Sequence, residues 1–348
     1  MAFTIALAAA GCSDKFDVNN DNGGNQADWL IPVGEIFQGA PRDGIPSVDR
    51  PQFIPNAEVN FMLPGDLVVG IKAGSEVRGY PHPILDWHEL VNDKIANDAF
   101  TLTYCPLTGT AIGWSRVVDG KETTYGVSGF LYNTNLMPYD RSTSSIWSQM
   151  RLDCVNGPLK GSSAGVFQLI ETNWTTWKEM YPNAQVMSTN TGFDRPYGSF
   201  PYGSYREPNS GLLFPVDQND TRLPNKDRVV GLAVGDQSKV YRILEFPDTV
   251  GVINDSFNAT NVVAVGSAGK NFGMVYGRDL PDGTTLTFSA EQNTFPAVMI
   301  DNEGSEWDLF GDALSGPRVG QSLPRTDSYI AYWFGWVTFH PGAAIHGR

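Results

Sequence analysis

An internal repeat is the sequence feature that most restricts the fold of this chain. Residues 66–80 recur at 227–241 with a constant offset of 161 (227 minus 66), and both copies contain Val-Val-Gly, a later Gly and a terminal Tyr. Further pairs keep the offset within two residues of that value: Asp140 and Asp301, Trp147 and Trp307, Trp174 and Trp333, Trp177 and Trp336. Self-similarity over such a span predicts two homologous halves.

The pattern within each half predicts its local structure. A Val-Val-Gly strand and a second strand ending at Tyr come first, followed by a short amphipathic segment, further strands and a helix with two Trp residues three positions apart. This spacing places both rings on one helical face, which favours packing in the core. Strands mixed with short helices predict a β-rich α+β fold, whose two halves we expect to pack around a pseudo-two-fold axis.

The repeat also sets the predicted domain boundaries. The first half spans residues 31–205, the connector residues 206–226, and the second, degenerate half residues 227–348. Composition agrees with this architecture, because 37 Gly and 23 Pro favour many turns and short strands over a helical bundle.

The N-terminal segment, residues 1–12, resembles the signal segment of a bacterial lipoprotein. Its first ten residues are small and mostly apolar, and Ala9-Ala10-Gly11-Cys12 resembles a processing site whose Cys carries lipid. Residues 13–30 are rich in Asn, Asp and Gly, as is typical of a polar tether. These features predict an extracytoplasmic protein, in the periplasm or at the cell surface, with lipid on Cys12 as its only membrane anchor.

The charge of the chain argues against one class of partner. The formal net charge is −14, and the Lys and Arg residues are scattered. Because binding to a phosphate backbone needs a concentrated cationic face, we expect no nucleic-acid partner. Whether the partner is a small molecule or a protein stays open.

Reactive side chains are concentrated in one stretch of the first half. Residues 86–114 contain an imidazole, two carboxylates and a thiol, from His88, Glu89, Asp93 and Cys105. Residues 100–104 alternate as a strand, which we expect to end at Cys105 because the following proline lacks an N–H for ladder pairing. The thiol is thus predicted at the mouth of a strand.

A comparison of the halves separates architecture from function. At the places of His88 and Cys105 the second half has neither His nor Cys, and it lacks counterparts of Tyr132, Asn133 and Arg141. Residues kept in both halves are predicted to serve the architecture. Residues that only the first half carries are candidates for a functional site.

The residue types leave three functions open, of which the first is our prediction. A ligand-binding or interaction module would use polar and aromatic side chains of the first half: Asp93, Tyr132, Asn133 and Arg141. A mononuclear copper or zinc site would use Cys105 and His88, because thiolate and imidazole suit these metals. Its further ligands would come from His82, Glu89, Met137 or His340.

The third function is a thiol-dependent enzyme, and the sequence leaves open whether the protein is an enzyme at all. Cys105 would be the nucleophile and His88 the base, with Glu89 or Asp93 orienting the imidazole. The three cysteines do not suggest a disulfide framework, although a single bridge between Cys105 and Cys154 stays open.

Several long motifs point to a known family. They are Arg78-Gly-Tyr-Pro81, Trp87-His88-Glu89-Leu-Val-Asn-Asp93, Thr103-Tyr-Cys105-Pro-Leu-Thr-Gly109, Tyr125-Gly-Val-Ser-Gly-Phe-Leu-Tyr-Asn133 and Tyr332-Trp-Phe-Gly-Trp336. From about residue 31 to 340 the chain resembles the DUF3179 family of bacteria and archaea. The family pattern has a second Cys where this chain has Thr108, which weakens any inference of a dithiol pair or a two-thiolate metal site. The resemblance implies membership and leaves the function open.

Overall fold

The structure is a computed structural model that describes residues 26–208, 210–218, 220–292 and 294–348. Cys12, the predicted signal segment and most of the predicted tether lie outside the described residues. Within those ranges strands predominate, and each of the three α-helices has only seven residues, which confirms the β-rich prediction. Among the described residues, no helix combines the length and apolar character needed to cross a membrane.

The described chain up to residue 187 contains seventeen strands and two α-helices. The strands are β1 (Ile36–Gln38), β2 (Val48–Asp49), β3 (Phe53–Pro55), β4 (Leu67–Ala73), β5 (Glu76–Pro81), β6 (Leu90–Ile95), β7 (Asp98–Cys105), β8 (Thr110–Ser115), β9 (Val117–Val118), β10 (Lys121–Glu122), β11 (Tyr125–Tyr132), β12 (Asn135–Asp140), β13 (Ile146–Ser148), β14 (Asp153–Asn156), β15 (Val166–Phe167), β16 (Leu169–Asn173) and β17 (Gln185–Met187). The helices are α1 (His82–His88) and α2 (Trp174–Met180).

The described residues after 187 contain ten strands and one α-helix, α3 (Trp333–Phe339). The strands are β18 (Arg228–Val234), β19 (Gln237–Arg242), β20 (Gly251–Phe257), β21 (Thr260–Ser267), β22 (Phe272–Gly277), β23 (Phe288–Ala290), β24 (Ala297–Asp301), β25 (Glu306–Asp308), β26 (Asp327–Tyr332) and β27 (Ala344–Ile345). Short 3-10 helices lie at Gln26–Asp28, Val33–Glu35, Asn56–Glu58 and Ile243–Glu245.

Close packing against a Trp ring explains the Gly of the Val-Val-Gly strands. A Cβ on Gly70 of β4 would lie 2.4 Å from the ring of Trp177, and a Cβ on Gly231 of β18 would lie 2.3 Å from the ring of Trp336. Both Trp residues are fully buried on the short helices that follow β16 and β26. Only Gly leaves room for the ring at these two positions.

The sheets on the two sides of residue 187 have matching strand orders. The order β16-β4-β5-β17 is matched by β26-β18-β19-β27, and the order β8-β7-β6 by β22-β21-β20. The ladder β11-β12-β13 corresponds in the same way to β23-β24-β25. In the first part, β3, β2, β15, β1 and β14 extend these sheets.

The two parts share a core and enclose a cavity where they meet. One cluster of buried apolar side chains includes Val68 and Trp177 from the first part and Val263 and Trp307 from the second. β8 packs against β26, and β16 packs against β22. These four strands line a cavity of about 260 Å³.

Candidate functional site

The end of α1 places Glu89 in an unusual backbone conformation. The helix begins at His82 with Pro83 in its first turn, where a missing N–H costs nothing. It ends at Glu89, which has φ +57° and ψ −33° and donates its N–H to the Leu85 carbonyl oxygen at 2.8 Å. For a residue with a Cβ this conformation costs on the order of 1–3 kcal/mol, and such strain is concentrated at functional sites.

The same backbone turn brings Glu89 next to the end of β7. The carbonyl oxygen of Glu89 accepts the N–H of Tyr104 at 2.7 Å, which starts the pairing of β6 with β7. Cys105 therefore lies beside Glu89; burial raises the pKa of the thiol, and the charge of Glu89 adds to this effect. The structure thus brings two of the predicted site residues together.

A cavity of about 210 Å³ lies over Glu89. Most of its lining is apolar, from Pro41, Ile45, Leu107, Val127, Phe130, Leu131, Leu136, Pro201 and Phe214. Its polar side chains are Asp86, Trp87, Glu89 and Tyr202. The cavity therefore combines apolar walls with two carboxyl groups.

The carboxyl group of Glu89 is buried and sparsely hydrogen-bonded. The residue is 6% exposed, and the Tyr202 hydroxyl donates to Oε1 at 3.1 Å. Burial raises the pKa of Glu89 to about 7, and the charge of Asp86 adds to this effect. The group can therefore gain or lose a proton near neutral pH.

The second carboxyl group, Asp86, is ion-paired. The Arg206 guanidinium donates to its Oδ1, and the same nitrogen lies 3.1 Å from the Tyr104 hydroxyl. The guanidinium also lies 3.8 Å from the centre of the Phe200 ring. Asp86 thus has a cationic partner of its own.

The Cys105 thiol is enclosed and weakly acidic. Cys105 is 1% exposed, and its Sγ lies 3.7 Å from the Thr134 carbonyl oxygen. Burial, followed by the nearby charge of Glu89, raises its pKa to about 11, so the thiol stays protonated at neutral pH. Cys105 and Cys154 are both free in the structure, so the bridge that the sequence left open is not formed.

The structure directs the His88 ring to partners other than Cys105. Its Nδ1 lies 2.7 Å from the Pro46 carbonyl oxygen, and its Nε2 lies 2.6 Å from the Tyr197 hydroxyl. A carbonyl only accepts, so Nδ1–H donates to Pro46 and Nε2 accepts from Tyr197. Burial lowers the pKa of His88 to about 4 and keeps the ring neutral. The predicted pairing of His88 as a base with Cys105 is therefore not assembled.

The further metal ligands that the sequence suggested are also engaged elsewhere. His82 Nε2 lies 2.8 Å from Glu171 Oε2, and His340 Nε2 lies 2.9 Å from the Tyr329 hydroxyl. Met137 is a buried member of an apolar cluster. In the part of the chain that the structure describes, no three His, Cys, Asp or Glu side chains are grouped to hold a metal ion. The geometry therefore does not assemble the predicted copper or zinc site of Cys105 and His88.

Asp93 takes part in an arrangement that occurs in both parts of the chain. Its Oδ2 accepts from the Tyr80 hydroxyl at 2.6 Å and from Arg78 at 2.7 Å. Asp255 accepts in the same way from the Tyr241 hydroxyl at 2.8 Å, and Lys239 pairs with it as Arg78 does with Asp93. Asp93 is thus one of the residues kept in both parts, which we predicted to serve the architecture.

The remaining predicted ligand-binding residues lie away from the cavity lining. Asn133 and Thr134 have φ values of +50° and +65° and form the tight turn between β11 and β12. The Asn133 amide donates to Asp217 Oδ2 at 3.0 Å, which fastens the connector. The Tyr132 ring packs edge-on against Phe339.

Arg141 also has a local structural role. Its Nη1 donates to Asp49 Oδ2 at 3.0 Å and to Thr124 Oγ1 at 3.1 Å, and its Nη2 donates to Ser47 Oγ at 2.7 Å. Those bonds hold the segment around β2 against the end of β12. Arg141 is not among the residues that line the cavity over Glu89.

Sequence reasoning missed several residues of the cavity. Asp86 and Trp87 lie in the same motif as Glu89 but were not singled out. Tyr202 and Arg206 come from the Tyr-rich segment 197–208, at the end of the predicted first half and the start of the predicted connector; Tyr202 lines the cavity and Arg206 pairs with Asp86. The high density of aromatic residues in this segment is the sequence feature that could have identified it as a wall of the site.

Comparison with known proteins identifies one family. Residues 42–343 match the family model described as "Protein of unknown function (DUF3179)", which confirms the resemblance seen in the motifs. No curated protein and no solved structure matches the chain.

Proposed function

The chain belongs to the DUF3179 family, and we propose that it is a ligand-binding module whose site is the cavity over Glu89. One observation carries this proposal: a buried carboxyl on a strained backbone faces a cavity whose lining is mostly apolar. Apolar pockets with a few convergent polar groups and a perturbed pKa are the usual form of small-molecule sites. A thiol mechanism needs Cys105 as a thiolate, which its raised pKa disfavours. A binding function does not need the thiolate.

The corresponding region of the second half supports this location. Ser267 stands in the place of Cys105, because each is the last residue of its strand and pairs with a residue five positions later, Phe272 and Thr110 respectively. By the same register Gly251, which pairs with Gly266, stands in the place of Glu89 beside Tyr104. The Ser267 hydroxyl donates to the Asp248 carbonyl oxygen at 2.7 Å, and the carboxyl of Glu89 has no counterpart.

We further propose that the two parts arose by internal duplication and pack around a pseudo-two-fold axis. Matched strand orders and the reciprocal packing of β8 on β26 and β16 on β22 support this. Matched hydrogen bonds add to it: Trp147 Nε1 donates to Asp140 at 3.2 Å, and Trp307 Nε1 donates to Asp301 at 2.9 Å. The cavity between the parts would then lie on the axis.

We propose that the protein is extracytoplasmic and is anchored by lipid on Cys12. The processing-site resemblance at Cys12 supports this, and it predicts that the wild-type protein fractionates with membranes and is released by detergent. The Cys12→Ser variant should appear in the soluble fraction, with Cys154→Ala as the control that stays with membranes. Soluble wild-type protein would contradict the proposed anchor.

Nuclear magnetic resonance of the Trp87 indole N–H tests the binding function, because Trp87 lines the cavity. We expect 2-phenylethanol, a small neutral aromatic probe, to shift this resonance in a saturable way. The Ala40→Phe substitution at the cavity lining should abolish the shift, whereas Ala57→Phe at an exposed position should not. A shift that survives Ala40→Phe contradicts the proposal, as does a wild type in which neither 2-phenylethanol nor its amine counterpart, 2-phenylethylamine, produces a saturable shift.

A further inference from the structure

We infer that the cavity over Glu89 selects a ligand with an ammonium group on a small apolar body. This inference rests on the proposed function and names its ligand class. It follows from the charges at the polar end of the cavity, from the rings around it and from the hydrogen bonds that Glu89 leaves unmade.

The charges at the polar end leave one carboxyl without a cation. Burial raises the pKa of Asp86 to about 7 in spite of Arg206, so above about pH 7 Asp86 is ionised and the Arg206 guanidinium balances its charge. Glu89 receives a hydrogen bond from Tyr202 alone, and its Oε2 accepts none from any residue that the structure describes. A buried carboxylate usually has a cationic or multiply hydrogen-bonded partner. A cation is therefore the partner that Glu89 lacks.

The other titratable groups around Glu89 do not supply this charge. The Cys105 thiol is neutral, and the Tyr205 hydroxyl donates to the Leu107 carbonyl oxygen at 2.9 Å. The Tyr104 hydroxyl accepts from Arg206, whose guanidinium is directed at Asp86. His88 is neutral and bonded to Pro46 and Tyr197. An ammonium ligand meets no competing cation at Glu89.

Aromatic rings line the same cavity. Trp87, Phe130, Tyr202 and Phe214 are among its walls. The faces of such rings carry negative electrostatic potential and attract cations, with Trp the strongest. The walls therefore suit both parts of an aromatic amine, its apolar body and its charge.

Other ligand charges fit less well. An anion would be repelled by Glu89 once that group ionises, and the chain carries a net charge of −14 that disfavours the approach of anions. A neutral ligand would leave the ionised carboxylate uncompensated. An ammonium donates up to three hydrogen bonds and can reach the free Oε2.

Ionisation of Glu89 should be coupled to binding. Burial raises the pKa of Glu89 to about 7, so below that pH an ammonium ligand must displace a proton from the carboxyl. Its affinity should rise with pH up to about 7, by as much as about tenfold per pH unit, and then level off. A neutral ligand that accepts from the protonated carboxyl shows the opposite trend.

Titration calorimetry with two probes of equal size tests this inference. 2-Phenylethylamine keeps its charge between pH 5 and 8.5, as an alkyl ammonium does, and 2-phenylethanol is its neutral counterpart. We expect the amine to bind about tenfold or more tightly at pH 8 than at pH 5.5 and to exceed the alcohol at pH 8. The Glu89→Gln variant should lose the pH dependence of amine binding, whereas Glu58→Gln, which removes an exposed charge, should keep it.

The outcomes separate the inference from the proposed function. Alcohol binding that equals amine binding at pH 8, or amine binding that Glu89→Gln leaves unchanged, overturns the inference and leaves the cavity as a ligand site. If neither probe binds at millimolar concentration, both the inference and the proposed function fail. Near-ultraviolet circular dichroism of each variant checks that the fold is retained.

Discussion

Glu89 combines three features that are each unfavourable on their own. Its backbone lies in a disfavoured region, its carboxyl is buried, and one of its oxygens has no hydrogen-bonding partner among the described residues. Each feature costs stability, and together they are typical of a polar group that binds a ligand. A role in ligand binding therefore explains these features of Glu89 better than a role in stabilising the fold.

The raised pKa of Glu89 gives its stability a defined pH dependence. The folded-state pKa of about 7 lies above the ordinary value of 4.5, so the folded state binds more protons and stability is lost as pH rises between these values. Glu89→Gln removes this loss. At pH 8.5 we expect its free energy of unfolding to exceed that of the wild type by up to roughly 3 kcal/mol, with little difference at pH 4.5.

Urea unfolding of both proteins at the two pH values measures this difference. Subtracting the curves cancels the titration of groups that do not interact with Glu89, such as His88, whose lowered pKa makes stability fall as pH falls from about 6.5 towards 4. Asp86, whose pKa burial also raises to about 7, interacts with Glu89 and contributes to the difference. A difference that does not change with pH would show that Glu89 is ionised with an ordinary pKa.

Because Cys105 is buried, we expect its thiol to react slowly with alkylating reagents. At pH 8 a pKa of about 11 leaves a thiolate fraction roughly 200-fold below that of an unperturbed Cys, before any steric protection. In a Cys12→Ser/Cys154→Ala background, iodoacetamide should alkylate native Cys105 at least that much more slowly than the urea-unfolded chain. Rapid labelling of the folded protein would instead favour the thiol-dependent enzyme.

At the scale of elements, the contact between a Gly and a Trp joins a strand to a helix in both parts of the chain. Trp177 approaches Gly70, and Trp336 approaches Gly231, so closely that neither position has room for a larger side chain. The seven-residue helices are too short to be stable alone, so packing against the strand holds them. These contacts explain why the spacing of Gly and Trp recurs along the sequence.

Matched substitutions test the two contacts. Gly70→Ala and Gly231→Ala should each lower the free energy of unfolding by about 1–3 kcal/mol, because the added methyl group overlaps a buried ring. Gly65→Ala is the control, since a Cβ at that position would have no atom within 4 Å and the φ of Gly65 is not positive. Urea denaturation measures all three, and a cost at Gly70 or Gly231 no larger than at Gly65 would contradict the packing argument.

At the scale of the whole molecule, a buried ion pair joins the two parts. Glu171 of β16 pairs with Arg228 of β18, and it also contacts His82 of α1 at 2.8 Å. Burial opposes ionisation of Glu171, but the Arg228 charge outweighs it and holds the pKa at about 2. The group therefore stays ionised through the neutral range, and its contribution to stability is lost only as pH falls from about 4.5 towards 2.

Removing one partner of this pair should be costly. Glu171→Gln leaves the Arg228 guanidinium, 15% exposed, without its charge partner, so we expect a loss of about 3–5 kcal/mol in the free energy of unfolding. Glu179→Gln alters an exposed pair with Lys270 and should cost less than about 1 kcal/mol. Equal losses in the two variants, measured by urea unfolding, would mean that the pair does not hold the parts together.

Local structure followed the sequence closely. The strand predicted over residues 100–104 is observed as part of β7, which ends at Cys105 before the proline, as expected. The helices with paired Trp residues are also observed, as α2 and α3. Periodicity and the special geometry of Pro and Gly act between neighbours in the chain, so they can be read without knowing the fold.

The composition of the candidate site was only partly predictable. Glu89 and Cys105, both among the predicted site residues, are adjacent because β6 and β7 form a hairpin. His88 precedes Glu89 in sequence, yet its ring is bonded to Pro46 and Tyr197 because the helix ends between them and Glu89 turns away. Sequence proximity does not determine side-chain direction where the backbone leaves the helical region.

By itself the sequence determined membership in the family, the β-rich character and the half of the chain that carries the unusual residues, since repeats and motifs are properties of the order of residues. Only the tertiary structure decided which side chains meet. Tyr202 and Arg206 reach Glu89 and Asp86 across more than a hundred residues, from the segment between β17 and β18, whose path depends on long-range packing. The path of this segment determines the burial and the charge environment of Glu89, and the candidate binding chemistry depends on both.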